Sequence, residues 1–274
     1  MSGERLGNWE TLLVEREDGI ATVTLNRPDR LNAMNRPMRK EIGDSLLELA
    51  RDDQTRVVVI TGAGRAFSAG GDHADFRGAT PEVIYDLMRD LVHRWLKALW
   101  NLEKPTIAAV NGVAAGGGAN LAFACDIVIA SDKARFGQAF VNIGLIPDCG
   151  GLFTVPREIG LHRAKELAFT GDLLEATEAK ELRLINRVVP HDELMVQTMA
   201  LARRLAAGPA RALAMAKALL NRSFESSMDQ MLQYEIQAQP LLFGTADHKE
   251  GLAAFREKRR PNFGQREDSA TGLD

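Results

Sequence analysis

Little in this chain of 274 residues marks a specialised environment. There are two cysteines, Cys125 and Cys149, each in an apolar or glycine-rich stretch and neither at metal-ligand spacing from another donor. Five scattered histidines form no motif, so no metal site is expected. No run reaches ~18 consecutive apolar residues, which predicts no membrane span. MSGERLGNWE lacks a basic region followed by an apolar stretch, so no signal peptide is expected and a reducing, cytoplasmic setting is the default. Charge is close to balanced, at −3 with a pI near 6.0. That argues against nucleic acid or an anionic membrane as the main partner, though a small anionic ligand can still meet a local arginine cluster.

Nucleotide fingerprints are missing too. TGAGRAF (61–67) lacks the third glycine of a dinucleotide loop, and the glycine run at 116–118 has no following Lys-Ser/Thr. What both regions supply is permissive backbone. AGGD (69–72) and AGGGAN (115–120) let an amide approach a ligand closely, and two amides converging on one oxygen make an oxyanion hole. Composition alone reads equally as tight packing of helix against sheet.

What is present is an ordinary globular balance, 45% hydrophobic and 26% charged, in a chain long enough for one large core or a main domain with an appendage. Residues 11–17 and 19–25 predict a hairpin turned at Asp18-Gly19. A helix is expected over 37–51, with Ile42, Leu46, Leu49 and Ala50 on one face. VVVIT (57–61), TIAAVNG (106–112) and IVIAS predict short buried strands, and a long helix is expected through about 81–101. Two of these strands end in glycines, the place where ligands sit in α/β proteins. LINRVV (184–189) reads as a last strand. Beyond it, helices are expected at 192–207, 209–220, 224–239 and 246–258. The chain divides into an α/β part (1–190), a helical part (191–263) and a polar tail (264–274) expected to be unstructured.

One segment, FGQAFVNIGLIPDCGG (136–151), holds a single acid, Asp148, ahead of a glycine pair. Its residues alone leave two roles open: a proton-transferring base, or a cap for the helix expected from Gly150. Asp126, between an apolar helix and a strand, reads as a buried hydrogen-bonded turn. Trp95 and Trp100 read as packing.

Five stretches resemble the enoyl-CoA hydratase/isomerase (crotonase) superfamily over roughly 11–263: IATVTLNRPDRLNAMN, VVVITGAGRAFSAGGD, KPTIAAVNGVAAGGGANLAFACDIVIASDKARFG, IGLIPDCGG and EGLAAFREKRRPNF. IGLIPDCGG with NGVAAGGGANLA is most similar to the phenylacetate-pathway ring-epoxide-CoA isomerase and to enoyl-CoA isomerases. The resemblance implies an α/β spiral of repeated strand-strand-helix units with a C-terminal helical trimerisation region, as a homotrimer or dimer of trimers. It implies an acyl-CoA thioester as substrate and no cofactor besides that coenzyme A. The amides of Gly71 and Gly117 would hold the thioester enolate. Arg30, Leu31, Ala33, Ala69, Gly70 and Asp72 would contact coenzyme A largely through backbone, with Asp72 also structural in relatives. His73, His93, Asn120 and Phe140 would edge the acyl pocket, which the 73–100 region shapes. The cluster Arg256, Lys258, Arg259 and Arg260 could meet coenzyme A phosphates or simply be a solvated helix end.

The resemblance also bears on the acid. Hydratases of the family carry two glutamates at the positions held here by Asn120 and Phe140, so neither is present. Asp148 stands where isomerase-type members place theirs, and Phe140, Ile143, Leu145 and Ile146 would desolvate it. The expectation is double-bond isomerisation with Asp148 as acid and base. A hydratase or other enolate-forming lyase or hydrolase, and a non-catalytic acyl-CoA binder, are the alternatives.

Overall fold

The computed structural model describes residues 3–264. The tail expected at 264–274 lies outside them except for Gly264.

The chain begins with β1 (Glu4–Arg5), β2 (Leu12–Glu17) and β3 (Ile20–Leu25). Between β2 and β3, Asp18 and Gly19 both adopt positive φ, 51° and 75°, the backbone a two-residue hairpin turn requires. Helix α1 (Arg36–Arg51) follows, its first turn closed by Asn35, whose side chain accepts from the Met38 N–H at 3.1 Å. Ile42, Leu46 and Leu49 are buried as their spacing predicts, whereas Ala50 is exposed at the helix margin.

Three turns of a spiral come next. Each places one strand in a main sheet, one in a second sheet, and then a helical segment. The first has β4 (Val57–Gly62), β5 (Ala66–Ser68), α2 (Pro81–Leu87) and α3 (His93–Trp100). The second has β6 (Thr106–Val110), β7 (Val113–Ala115) and α4 (Gly117–Phe123). The third has β8 (Ile127–Ser131), β9 (Arg135–Gly137) and α5 (Gly151–Thr170). After them come β10 (Leu173–Glu175), α6 (Ala176–Glu181) and β11 (Arg187–Val189), then α7 (Leu194–Ala206), α8 (Ala210–Leu220), α9 (Met228–Phe243) and α10 (Ala246–Glu257). The main sheet runs β1-β2-β3-β4-β6-β8-β11, parallel from β3 onward, and the second runs β10-β9-β7-β5.

Burial on both faces explains the unbroken apolar strands. Val58 and Ile60 of β4 face the core shared with the second sheet, while Val57 and Val59 face Leu194, Leu201 and Ala202 of α7.

Several sequence expectations change in detail. The helix expected over 81–101 is two α-helical pieces joined by a π-helical turn at Met88–Val92. The last strand is shorter than 184–189, and the helix expected at 224–239 is Met228–Phe243, started by a Ser227 cap. Helix α5 changes direction at Gly160, whose φ of 75° and ψ of 164° are non-helical. Asp126 is hydrogen-bonded but on the surface: it accepts from the Thr106 N–H at 2.7 Å and pairs with Lys217 of α8 at 2.8 Å.

The glycines that end β4 and β6 serve packing between turns of the spiral. A Cβ on Gly62 would stand 2.3 Å from the Ala66 carbonyl oxygen, and one on Gly112 would stand 2.1 Å from that of Arg65. The open glycine loops lie one strand later, after β5 and β7.

Candidate active site

A cavity of about 250 Å³ opens where those two loops meet. The loop after β5 contributes Ala69, Gly70 and Gly71, and the loop after β7 contributes Gly116 and Gly117. Their backbones touch: a Cβ on Gly70 would lie 2.7 Å from the Ala115 oxygen and 3.3 Å from the Gly117 nitrogen. Glycine is needed there for close approach.

Gly71 lies in a parallel bridge with Met34, made by Met34 N–H to Gly70 O at 2.7 Å and Asp72 N–H to Met34 O at 3.1 Å. Both bonds use the backbone of Met34, which leaves the Gly71 N–H directed away from that partner. Gly117 is the first residue of α4, where an N–H has no intrahelical acceptor. Among the described residues, nothing accepts from either N–H. The cavity therefore has two free amide donors in its walls, one of them at the positive end of a short helix.

Asp148 faces them. A Cβ on Gly117 would be 3.9 Å from Asp148 Oδ1 and 3.1 Å from Cys149 Sγ. The acid is carried on a tight turn: Cys149 and Gly150 have φ of 50° and 79°, and the Gly151 N–H donates to the Asp148 carbonyl at 2.9 Å. Gly150, not Asp148, occupies the cap position of α5, and no side chain caps that helix. Oδ1 of Asp148 is buried without a hydrogen-bond partner. Burial raises the Asp148 carboxyl above its ordinary range, partly opposed by the Cys149 thiol and by the charges of Arg39 and His93. The Cys149 thiol is pushed up in turn by burial and by the neighbouring carboxylate.

Asn120 does not line the cavity. It is fully buried, exchanging hydrogen bonds with Gln138 (2.7 Å and 3.3 Å), and its Nδ2 donates to the Asp148 carbonyl at 2.8 Å. Its place is behind the turn, as a clamp on the backbone that presents the acid. Phe140 does line the cavity, 9% exposed, with ring atoms 3.5–3.8 Å from where a Gly116 Cβ would be. Ile143 and Leu145 form part of the wall although half their surface is exposed, whereas Ile146 is 72% exposed and is not among the walls.

His73 lines the mouth edge-on to Phe76, with ring centroids 6.3 Å apart, while His93 is exposed and outside the walls. Arg30, Leu31, Ala33 and Asp72 also lie outside them. Arg30 is exposed; the Leu31 carbonyl accepts from the Ala69 N–H at 2.9 Å, so this segment is one hydrogen bond from the wall. The Asp72 carboxylate pairs with Arg27 at 2.8 Å and accepts from the Ala74 N–H at 3.1 Å, and its N–H is committed to Met34. In the C-terminal basic cluster, Arg259 is held by Glu250 and Glu257, each at 2.5 Å.

Phe76, Ala79, Ile84, Leu87, Met88 and Val92 complete the apolar wall, the last two from the π-helical turn. A wall of hydrocarbon, two free amides and one desolvated carboxylate suits a thioester whose α-carbon loses a proton.

A family model for enoyl-CoA hydratase/isomerase matches residues 15–266. The chain belongs to that family. It is 41% identical over 258 residues to a Mycobacterium tuberculosis protein named "Probable enoyl-CoA hydratase echA8", covering 94% of this chain and 99% of that one. It is 42% identical over 258 residues to the 1,2-epoxyphenylacetyl-CoA isomerase of Escherichia coli, covering 93% and 98%. A solved enoyl-CoA hydratase subunit of Geobacillus kaustophilus superposes with a TM-score of 0.89 at 38% identity, covering 95% of this chain and all of that one. The family is enzymatic, its chemistry is that of acyl-CoA thioesters, and its fold is the α/β spiral with C-terminal helices described above. No described helix is long and apolar enough to cross a membrane.

Arg39, Met34 and Cys149 line the cavity although their sequence context did not single them out as site residues. For Arg39 a signal exists: it shares the buried stripe of α1 with Ile42 and Leu46, at i+3 and i+7, where a solvated arginine has no place.

Proposed function

We propose that the protein is an acyl-CoA isomerase that moves a double bond through a thioester enolate, with Asp148 as the single acid and base. The observation that carries this reading is Asp148 itself: the one carboxylate in the cavity walls, desolvated, with Oδ1 unpartnered and facing the Gly117 loop. Among the hydratase positions, Asn120 is a backbone clamp and Phe140 a wall, and neither takes up a proton.

The steps balance with one carboxylate. Asp148 takes a proton from the α-carbon of a 3-enoyl thioester, and the electron pair delocalises over the γ-carbon and the thioester oxygen. The amides of Gly71 and Gly117 stabilise that oxygen. Protonated Asp148 then returns the proton at the γ-carbon, giving the 2-enoyl thioester. The backbone near Arg30, Leu31, Ala33, Ala69, Gly70 and Asp72 holds the coenzyme A portion, and His73 and Phe140 bound the acyl portion. The raised carboxyl pKa brings the base closer to the acidity of the carbon it serves. The E. coli relative is named for isomerising a ring-epoxide acyl-CoA, which makes such a thioester a second candidate substrate here.

A second reading, hydration or another enolate-forming lyase or hydrolase reaction, is favoured by the names of most relatives, among them a crotonyl-CoA hydratase from Syntrophomonas wolfei at 37% identity. The two separate in one experiment: purified protein is given trans-3-enoyl-CoA and trans-2-enoyl-CoA, with Asp148→Asn alongside. Isomerisation of the former, lost in the variant, is expected. Rapid formation of the 3-hydroxy product, undiminished in Asp148→Asn, would sink the isomerase reading.

A further inference from the structure

Arg39 is a second charged group in the cavity wall; its charge favours ionised Asp148, but the steps proposed above give it no contact with substrate. Its side chain is 4% exposed, and its guanidinium carbon lies 5.7 Å from the centre of the Phe76 ring. Nη1 donates to Asp75 Oδ2 at 2.7 Å. Nη2 has no acceptor among the described residues and stands 3.2 Å from where a Gly71 Cβ would be. A guanidinium offers five N–H donors, and leaving them unmet in an apolar enclosure is costly. Of the surrounding wall, Phe76, Ile84, Leu87 and Val92 offer no acceptor side chain and Met88 only a weak thioether, while the Asp148 carboxylate is assigned to proton transfer in the reaction proposed above. A plain hydrocarbon acyl chain drawn into this space would remove water from Arg39 and return nothing for it.

We propose that Arg39 is a binding subsite for a neutral oxygen on the acyl group, such as a hydroxyl, ether or ketone a few carbons beyond the thioester. The inference rests on reading the Gly71 and Gly117 amides as the thioester site, because Nη2 lies against Gly71. A neutral oxygen fits better than a carboxylate. Asp75 already balances the Arg39 charge, and Asp148 shares the cavity, so an acidic acyl group would set three carboxylates against one cation. Arg39 is thus a specificity-determining residue rather than a proton-transferring one.

Titration calorimetry of the purified full-length protein tests this with three unreactive thioesters of equal chain length: hexanoyl-CoA, 4-methoxybutyryl-CoA and 4-oxohexanoyl-CoA. At least one oxygen-bearing thioester is expected to bind more tightly than hexanoyl-CoA by roughly tenfold to a hundredfold, the range of a hydrogen bond to a charged donor. Arg39→Met combined with Asp75→Asn removes both charges together, so that neither is stranded. It should abolish the preference by tightening hexanoyl-CoA, whose chain no longer strips water from a charged group, with a thermal melt confirming the fold. Arg39→Lys should retain part of the preference. Equal binding of all three thioesters by the wild-type protein would overturn the inference, as would a variant that weakens all three alike. Isomerisation of trans-3-hexenoyl-CoA, measured on the same preparation, reports separately on the proposed reaction: its absence removes that reading without altering the binding comparison.

Discussion

Asp148 has the same burial that makes it useful acting against the fold. Its carboxyl is raised by desolvation, so between the unfolded value of about 3.9 and the higher folded one, the folded chain binds more protons than the unfolded chain. Stability from this group therefore falls as pH rises through that window, and the penalty is complete above the folded pKa. Asp148→Asn, which mimics the protonated form, should melt higher than wild type by a few degrees near neutrality, with the difference vanishing below about pH 4. A variant that melts lower at pH 7 would mean that the charge is satisfied in the folded state. Activity should run the other way: kcat/KM is expected to rise with pH through the same raised pKa, because only the carboxylate removes a proton. Asp148 stood out in the sequence as the one acid in a glycine-rich loop, but its residues left base and cap both open and the base was an expectation from the family resemblance. Whether it capped α5 was not legible, since that depends on which of three successive residues turns left-handed. Arg39 was missed because a charge on an otherwise apolar helix face reads as noise until the helix has something to face.

The main-sheet strands of the spiral were readable from their apolar runs, but the short strands β5, β7 and β9 were not, and neither was the purpose of each glycine. Gly62 and Gly112 look like loop glycines and are contact glycines; Gly117 looks the same and sits in the cavity wall. The distinction lies in distances between turns of the spiral, which periodicity does not contain. Gly118 shows how tight that packing is. A Cβ there would stand 2.3 Å from the Ser68 carbonyl oxygen, so Gly118→Ala should push α4 off β5 and cost about 1–3 kcal/mol in a denaturant melt. A neutral substitution would show that α4 has room to shift. Asn120 belongs to the same element and was misplaced as a pocket residue. Asn120→Ala should lower both stability, by about 1–3 kcal/mol, and kcat, since it leaves Gln138 unmet and removes one of the two hydrogen bonds that hold the Asp148 carbonyl. Unchanged kcat in a destabilised variant would limit Asn120 to the fold.

The whole molecule leaves much apolar surface uncovered on its C-terminal helices and around them. Phe224, Met228, Ile236, Phe243 and Phe255 are each more than 60% exposed. Surface of this kind marks an interaction site, and the homotrimer or dimer of trimers expected from the family resemblance would cover it. Sedimentation should give a mass three or six times the 30.0 kDa of the chain, and a stable 30.0 kDa species at micromolar concentration would contradict that assembly. In the proposed reaction one carboxylate, sharing a cavity with two free amides, carries all proton transfer. The most direct test is the initial rate at which trans-3-hexenoyl-CoA is isomerised and takes up deuterium in D₂O, for wild type and for Asp148→Asn, with thioester affinity measured beside it. Both rates are expected to fall roughly 10²–10⁴-fold in the variant while affinity is retained; equal rates in the two proteins would contradict proton transfer by Asp148.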